Sequence, residues 1–142
     1  MTTCDCNAGV KIIYSCSGAA DVGELADRTA RALRREGFAQ GSCIIAIGAG
    51  REGFIQSAKG VDVNITIDGC QAACSKKILE NIGVTPVSYI VTEMGFKKGS
   101  THVTPEAIET VCNNIKKGDA GKSKEKGAPA SDGGCGCGGG CC

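Results

Sequence analysis

Cys16, Cys43 and Cys70 stand at equal intervals of 27 residues. An interval of that size holds about one strand, one loop and one helix. Repeating such a unit would set the three cysteines at equivalent points on successive strands. In a parallel sheet, equivalent points converge on one edge. The spacing therefore favours an α/β fold in which the thiols meet where the strands end.

The hydrophobic pattern supplies the units. Residues 11–15 form a short apolar strand that runs into Cys16-Ser17-Gly18-Ala19-Ala20. A helix follows, capped by Asp21 and reaching about Glu36, with Leu25, Ala26, Thr29, Ala32 and Leu33 on one face and Gly37 as its stop. Residues 63–67 alternate apolar and polar, as a strand does. A helix is expected over 70–81, stopped by Gly83, and a fourth strand over 87–91 after Pro86. Thr104 caps a last helix, with Pro105 at its first position and Ala107, Ile108, Val111 and Ile115 inside. A short helix over 51–59 breaks at Gly60. The segment between is ambiguous. Hydrophobicity puts a strand at 42–47, so that Cys43 begins it; the equal spacing puts the strand at 38–44, with 45–50 as a loop. We follow the spacing. The order predicts an α/β fold: a sheet of about four mainly parallel strands with helices on both faces, Rossmann-like.

Composition narrows the class. One domain suits 142 residues, and with no Trp and 4% aromatics its core must be Ile, Val, Ala and Leu. A net charge of +1 and no basic patch interleaved with aromatics argue against a nucleic-acid partner. No apolar run approaches the ~18 residues of a membrane span. The first residues lack a basic start followed by an apolar stretch, so the expected location is cytoplasmic. Three parts are expected: a flexible extension at 1–10 containing Cys4 and Cys6, a domain at 11–117, and a disordered linker with a Gly/Cys-rich tail at 118–142. The tail ends in Cys135, Cys137, Cys141 and Cys142, which suit a chelating or thiol-donating arm that serves the core or a protein partner.

Eleven cysteines, an odd count, fit complete disulfide pairing poorly. In a reducing compartment, clustered cysteines bind metal or do redox chemistry. On the expected helix Cys70 and Cys74 share one face, and its free N–H groups favour a thiolate. Four thiolates suit Zn²⁺ or an iron–sulfur cluster. Singly, Cys16 and Cys43 read equally well as small buried apolar residues. A phosphatase loop, Cys-x5-Arg, is excluded, because Val22 follows Cys16 and Lys76 follows Cys70 at the arginine position. Three residues separate Cys70 from Cys74, which excludes a Cys-x-x-Cys redox pair. A thiol or persulfide carrier stays open, since it needs only an accessible thiolate. Gly48-Ala49-Gly50 reads as a turn rather than a phosphate cradle, His102 as a solvated loop residue, and Cys112 as core filler. Lys97 and Lys98 read first as a solvated turn, with the cysteine edge as their alternative place.

Several of these segments carry a resemblance. They are Ser15-Cys16-Ser17-Gly18, Cys43 followed by Ile47-Gly48-Ala49-Gly50, and Ile67-Asp68-Gly69-Cys70 with Cys74 and Lys76-Lys77-Ile78-Leu79-Glu80. With Gly95-Phe96-Lys97-Lys98-Gly99, they resemble the DGC-domain family over about 11–117. One departure is Ile45-Ala46, where a small Ala-Gly pair is expected. The resemblance implies Zn²⁺ held by Cys16, Cys43, Cys70 and Cys74; at the C-terminal edge of the sheet such a site is expected to be structural or to serve metal sensing or trafficking. It supplies no reaction. The competing expectation is an iron–sulfur, or a sulfur- or selenium-transferring thiol protein, that works through Cys70 and Cys74.

Overall fold

The computed structural model describes residues 9–122, and side chains as far as Asp119. The N-terminal Cys4 and Cys6, and the tail with Cys135, Cys137, Cys141 and Cys142, lie outside the described residues. The elements are β1 (Lys11–Ser15), α1 (Asp21–Arg35), β2 (Gln40–Gly41), α2 (Ile44–Gly48), α3 (Glu52–Gly60), β3 (Val63–Asp68), α4 (Cys74–Asn81), β4 (Val87–Ile90), a 3₁₀ turn (Val91–Met94) and α5 (Pro105–Lys122). The four strands form one sheet in the order β2-β1-β3-β4, parallel throughout. The α/β expectation holds.

Alternation along the central strands divides the core. Ile13, Ile65 and Ile67 face α1 and α5, where they pack with Leu25, Leu33, Val111 and Ile115. Ile12 and Tyr14 face the other way, onto Ile44, Ile47, Ala58 and Leu79 of α2, α3 and α4. The polar positions of β3 do not meet water. Asn64, Thr66 and Asp68 are buried on the same side as α4. Asn64 accepts a bond from the Tyr14 hydroxyl at 3.2 Å and donates to the Ala58 carbonyl at 2.8 Å. Burial without such partners would cost a few kcal/mol per group, of order 1–3.

Helix ends follow local chemistry. Gly37, at φ 76°, lets the chain leave α1, while the Phe38 N–H returns to the Leu33 carbonyl at 3.0 Å. Thr104 caps α5 as expected, its hydroxyl accepting the Ala107 N–H at 3.2 Å. Asp21 is not the cap residue of α1. That place falls to Ala20, and Asp21 is the first helical residue. α5 runs past residue 117 because its end has partners. Asp119 pairs with Lys11 at 2.5 Å, and a Cβ on Gly118 would come within 2.9 Å of the Tyr89 hydroxyl.

The ambiguous segment resolves partly for each parse. β2 is only Gln40–Gly41, in register with Ile12 and Ile13 of β1. Cys43 therefore follows a strand, as the spacing requires, but the apolar run after it is the helix α2 and not a loop. No helix among the described residues is long and apolar enough to cross a membrane.

Candidate functional site

In the order β2-β1-β3-β4, the chain leaves β1 in one direction and β3 in the other. The crevice between the ends of β1 and β3 is thus the switch point, where open α/β sheets commonly bind their ligands. Cys16 follows β1 directly. Its N–H still bonds the Ile67 carbonyl of β3 at 3.1 Å, and its half-buried sulfur accepts the Gly69 N–H at 3.3 Å. Cys70, the next residue along from Gly69, is also half-buried, with the Lys98 ammonium 4.0 Å from its sulfur. The fold so brings Cys16 and Cys70 to one crevice. Cys43, past the end of β2, and Cys74, at the start of α4, are exposed.

All four thiols are free. The donor chemistry suits a soft ion such as Zn²⁺. The placement is more restrictive, since among the described residues no three His, Cys, Asp or Glu side chains gather as a group that could hold a metal. Cys16 and Cys70 lie at the crevice; Cys43 and Cys74 stand on the flanking segments.

The Asp-Gly-Cys run has a different local structure from the one its sequence suggests. α4 begins at Cys74 and not at Cys70. Asp68, 1% exposed, accepts the N–H groups of Ser75 at 2.8 Å and Lys76 at 3.2 Å. Those are two of the donors that the first turn of a helix leaves unpaired, so the carboxylate fixes where α4 starts. Between them the chain makes a turn closed by the Ala73 N–H on the Cys70 carbonyl at 3.0 Å. Cys70 thus lies in a turn, and Cys74 takes the helix start. Gly69 answers a packing need. A Cβ there would lie 2.7 Å from the Gly23 nitrogen and 2.8 Å from the Val22 carbonyl carbon. Gly23 is itself constrained, since its Cβ would meet the Gly18 oxygen at 2.6 Å. Together these glycines let the first turn of α1 press onto the ends of β1 and β3.

Two side chains organise the crevice: Asp27, which sequence reading passed over, and Asp21, which it read only as a helix cap. Asp27 of α1 accepts the hydroxyls of Ser15 at 3.2 Å and Ser17 at 3.1 Å, the residues on either side of Cys16, and the Arg31 Nε at 2.8 Å. Burial works against its charge, but Arg31 and the two hydroxyls outweigh it, and the carboxyl is held below its ordinary range. Asp21 accepts the N–H groups of Gly99 at 2.9 Å and Thr101 at 2.7 Å, which hold its carboxyl below the ordinary range as well. That clamp ties down the loop carrying Lys98. The signal in the sequence was the i, i+4 pairing of Asp27 with Arg31; nothing local announced the serines or the loop.

Backbone strain sits in the same place. Ser17 at φ 46° and Ala73 at φ 48° are the non-glycine residues with positive φ among the described residues, and they adjoin Cys16 and Cys74. The left-handed region costs a non-glycine residue roughly 1–2 kcal/mol. Strain of this kind concentrates at functional sites.

The remaining candidates fall into place without chemistry of their own. The Gly48–Gly50 segment is the corner between α2 and α3, with the Gly50 N–H on Ile47 and the Arg51 N–H on Ala46. His102 is exposed. Cys112 is buried at the α1–α5 contact, its thiol pushed up chiefly by burial.

The family model described as "DGC domain" matches residues 12–115. The anaerobic and virulence modulator AnvM of Pseudomonas aeruginosa is 32% identical over 88 residues, covering 61% of this chain and 67% of that protein. No solved structure matches.

Proposed function

The chain belongs to the DGC domain family, and from that premise we propose that it is a soft-metal-binding protein with a regulatory role. Cys16, Cys43, Cys70 and Cys74 are the thiols that would hold Zn²⁺, and the nearness of Cys16 and Cys70 to the crevice between β1 and β3 supports this. The observation that carries this reading is the crevice itself. One sulfur is met by the Gly69 N–H and the next by the Lys98 ammonium, on either side of the switch point. Bound there, the ion would link the turns after β1 and β3 and brace them against the first turn of α1. A relative named as a modulator suits sensing or trafficking better than turnover.

The test is elemental analysis of full-length protein purified without oxygen. A variant with all four core cysteines changed to Ser supplies the background of the remaining thiols. About one zinc above that background is expected. Cys16→Ser and Cys70→Ser each abolish it, and Cys43→Ser or Cys74→Ser weakens it. No zinc above background removes the reading.

The second reading has its own observation. An ammonium beside Cys70 would accompany an anionic sulfur as well as it would a metal thiolate, which suits a thiol or persulfide carrier. Iron with acid-labile sulfide would point instead to a cluster. Rapid alkylation of Cys70 in metal-free native protein would favour the carrier.

A further inference from the structure

β2 is two residues long, and beyond Gly41 the chain turns away into α2. α1 therefore overhangs an edge with no strand beneath it, and a cleft of about 360 Å³ opens there. Volumes of this size, about 300–1,000 Å³, are typical of small-molecule sites. Its lining brings together Arg31 and Arg34 from α1, Ser42 and Cys43 from the end of β2, and Phe54 from α3. The two arginines differ. Arg31 is committed to Asp27 at 2.8 Å. Arg34 has no side-chain hydrogen bond or ion pair among the described residues. Its side chain is nevertheless seated, for it lies so close over β2 that a Cβ on Gly41 would come within 2.8 Å of its Cδ. Phe54 is 42% exposed and gives the cleft an apolar wall. Counting Asp27 against Arg31 leaves the cleft one positive charge, and beside it an exposed thiol.

A free guanidinium selects a carboxylate, an open aromatic face selects an apolar stem, and a thiol selects a sulfur electrophile. We propose that this cleft binds a small carboxylate-bearing disulfide and that Cys43 exchanges with it. Arg34 pairs with the carboxylate while the stem rests on Phe54. The Cys43 thiolate attacks the nearer sulfur, the S–S bond of the ligand breaks, and a mixed disulfide forms on Cys43. The departing half leaves as its thiolate and takes up the proton that Cys43 gave to solvent. No further oxidant is needed, since the disulfide is reduced as Cys43 is oxidised. The inference concerns the metal-free protein, because Cys43 is also one of the four thiols proposed to hold Zn²⁺.

The test uses full-length, chelator-treated, reduced protein and two disulfides of similar size, dithiodipropionate, which is anionic, and bis(hydroxyethyl) disulfide, which is neutral. Adducts are trapped and assigned to each cysteine by peptide mapping, and every rate is divided by that of N-acetylcysteine with the same reagent. Cys43 is expected to prefer the anionic disulfide, and Cys74, exposed but outside the cleft, to show no such preference. Arg34→Gln lowers the Cys43 preference roughly fivefold, the upper range for one exposed charge pair. Arg35→Gln, a neighbouring charge outside the cleft, leaves it unchanged. Equal normalised rates at Cys43, the same preference at Cys74, or an equal loss in Arg35→Gln would each overturn the proposal.

Discussion

The ends of β3 and β2 each carry a cysteine, 27 residues apart in the chain, yet they are built differently. At the end of β3, Asp68 is buried, Gly69 touches the backbone of α1, and Cys70 is half-buried in a closed turn. At the end of β2 the strand has already stopped, Cys43 is exposed, and a cleft lies where the next layer would pack. The cause is position in the sheet. β3 has a strand on each side and helices above and below, whereas β2 is an edge with one neighbour. Equal spacing in the sequence therefore yields a half-buried thiol at the centre and an exposed one at the rim.

The largest effect should come from Asp68→Ala. It strands two N–H groups of α4 beside a buried strand and should cost about 3 kcal/mol in urea unfolding, the scale of lost charge-assisted bonds. A loss below about 1 kcal/mol would mean that water replaces the carboxylate and that the β3 end is no more rigid than the β2 end.

Glycine substitutions sharpen the contrast. Gly69→Ala meets backbone at 2.7 Å and should cost about 2 kcal/mol, in the range of overpacked sites. Gly48→Ala, in α2 beyond Cys43, meets only the flexible end of Ile78 at 3.4 Å. It should be neutral, or stabilising by up to about 1 kcal/mol, as helical Gly-to-Ala changes are. Thermal or chemical melts that rank the two the other way would break the comparison.

Acid should loosen the central edge. Asp21 and Asp27 have folded-state carboxyls below their ordinary values near 3.8. Between the folded and unfolded values the unfolded chain binds more protons, so stability rises with pH there. The contribution is fully present above the unfolded value and is lost as pH falls through the folded ones. Asp21→Asn and Asp27→Asn should each flatten the fall of the urea midpoint below about pH 4. An unchanged slope in both would remove the clamps as a source of acid sensitivity.

The smallest effect concerns Lys98. Its ammonium, 4.0 Å from the Cys70 sulfur, should draw anionic iodoacetate toward Cys70 relative to neutral iodoacetamide. Lys98→Gln should lower that ratio by no more than about fivefold, the scale of an exposed charge pair. Cys43 in the same digest serves as the internal control, and a matching change there would show the effect to be general.

Much of the fold was legible. Gly37 as the stop of α1, Thr104 and Pro105 at the start of α5, and the alternation along β3 all express local backbone chemistry, which a sequence carries directly. The parallel sheet was legible because repeated strand–helix units favour parallel strands, and the equal spacing set Cys16, Cys43 and Cys70 after successive strands, where they stand. The start of α4 was not legible, because Asp68 lies 7 residues before Ser75, the first N–H it accepts, and would not be read as a cap without the turn between them. Nor was the shortness of β2, since the apolar run at 44–47 suits a buried strand and a buried helix equally.

By itself, then, the sequence determined the α/β class, the parallel sheet and most of its elements, because periodicity and turn chemistry act within a few residues. Only the tertiary structure decided which thiols are held and which are open. That depends on how closely α1 approaches the strand ends, through Gly18, Gly23 and Gly69, and on Asp27 and Asp21 reaching across to Ser15, Ser17 and the Lys98 loop. Contacts between residues as far as 80 apart leave no pattern in any local window, and they are what separates a clamped sulfur at Cys16 from an accessible one at Cys43.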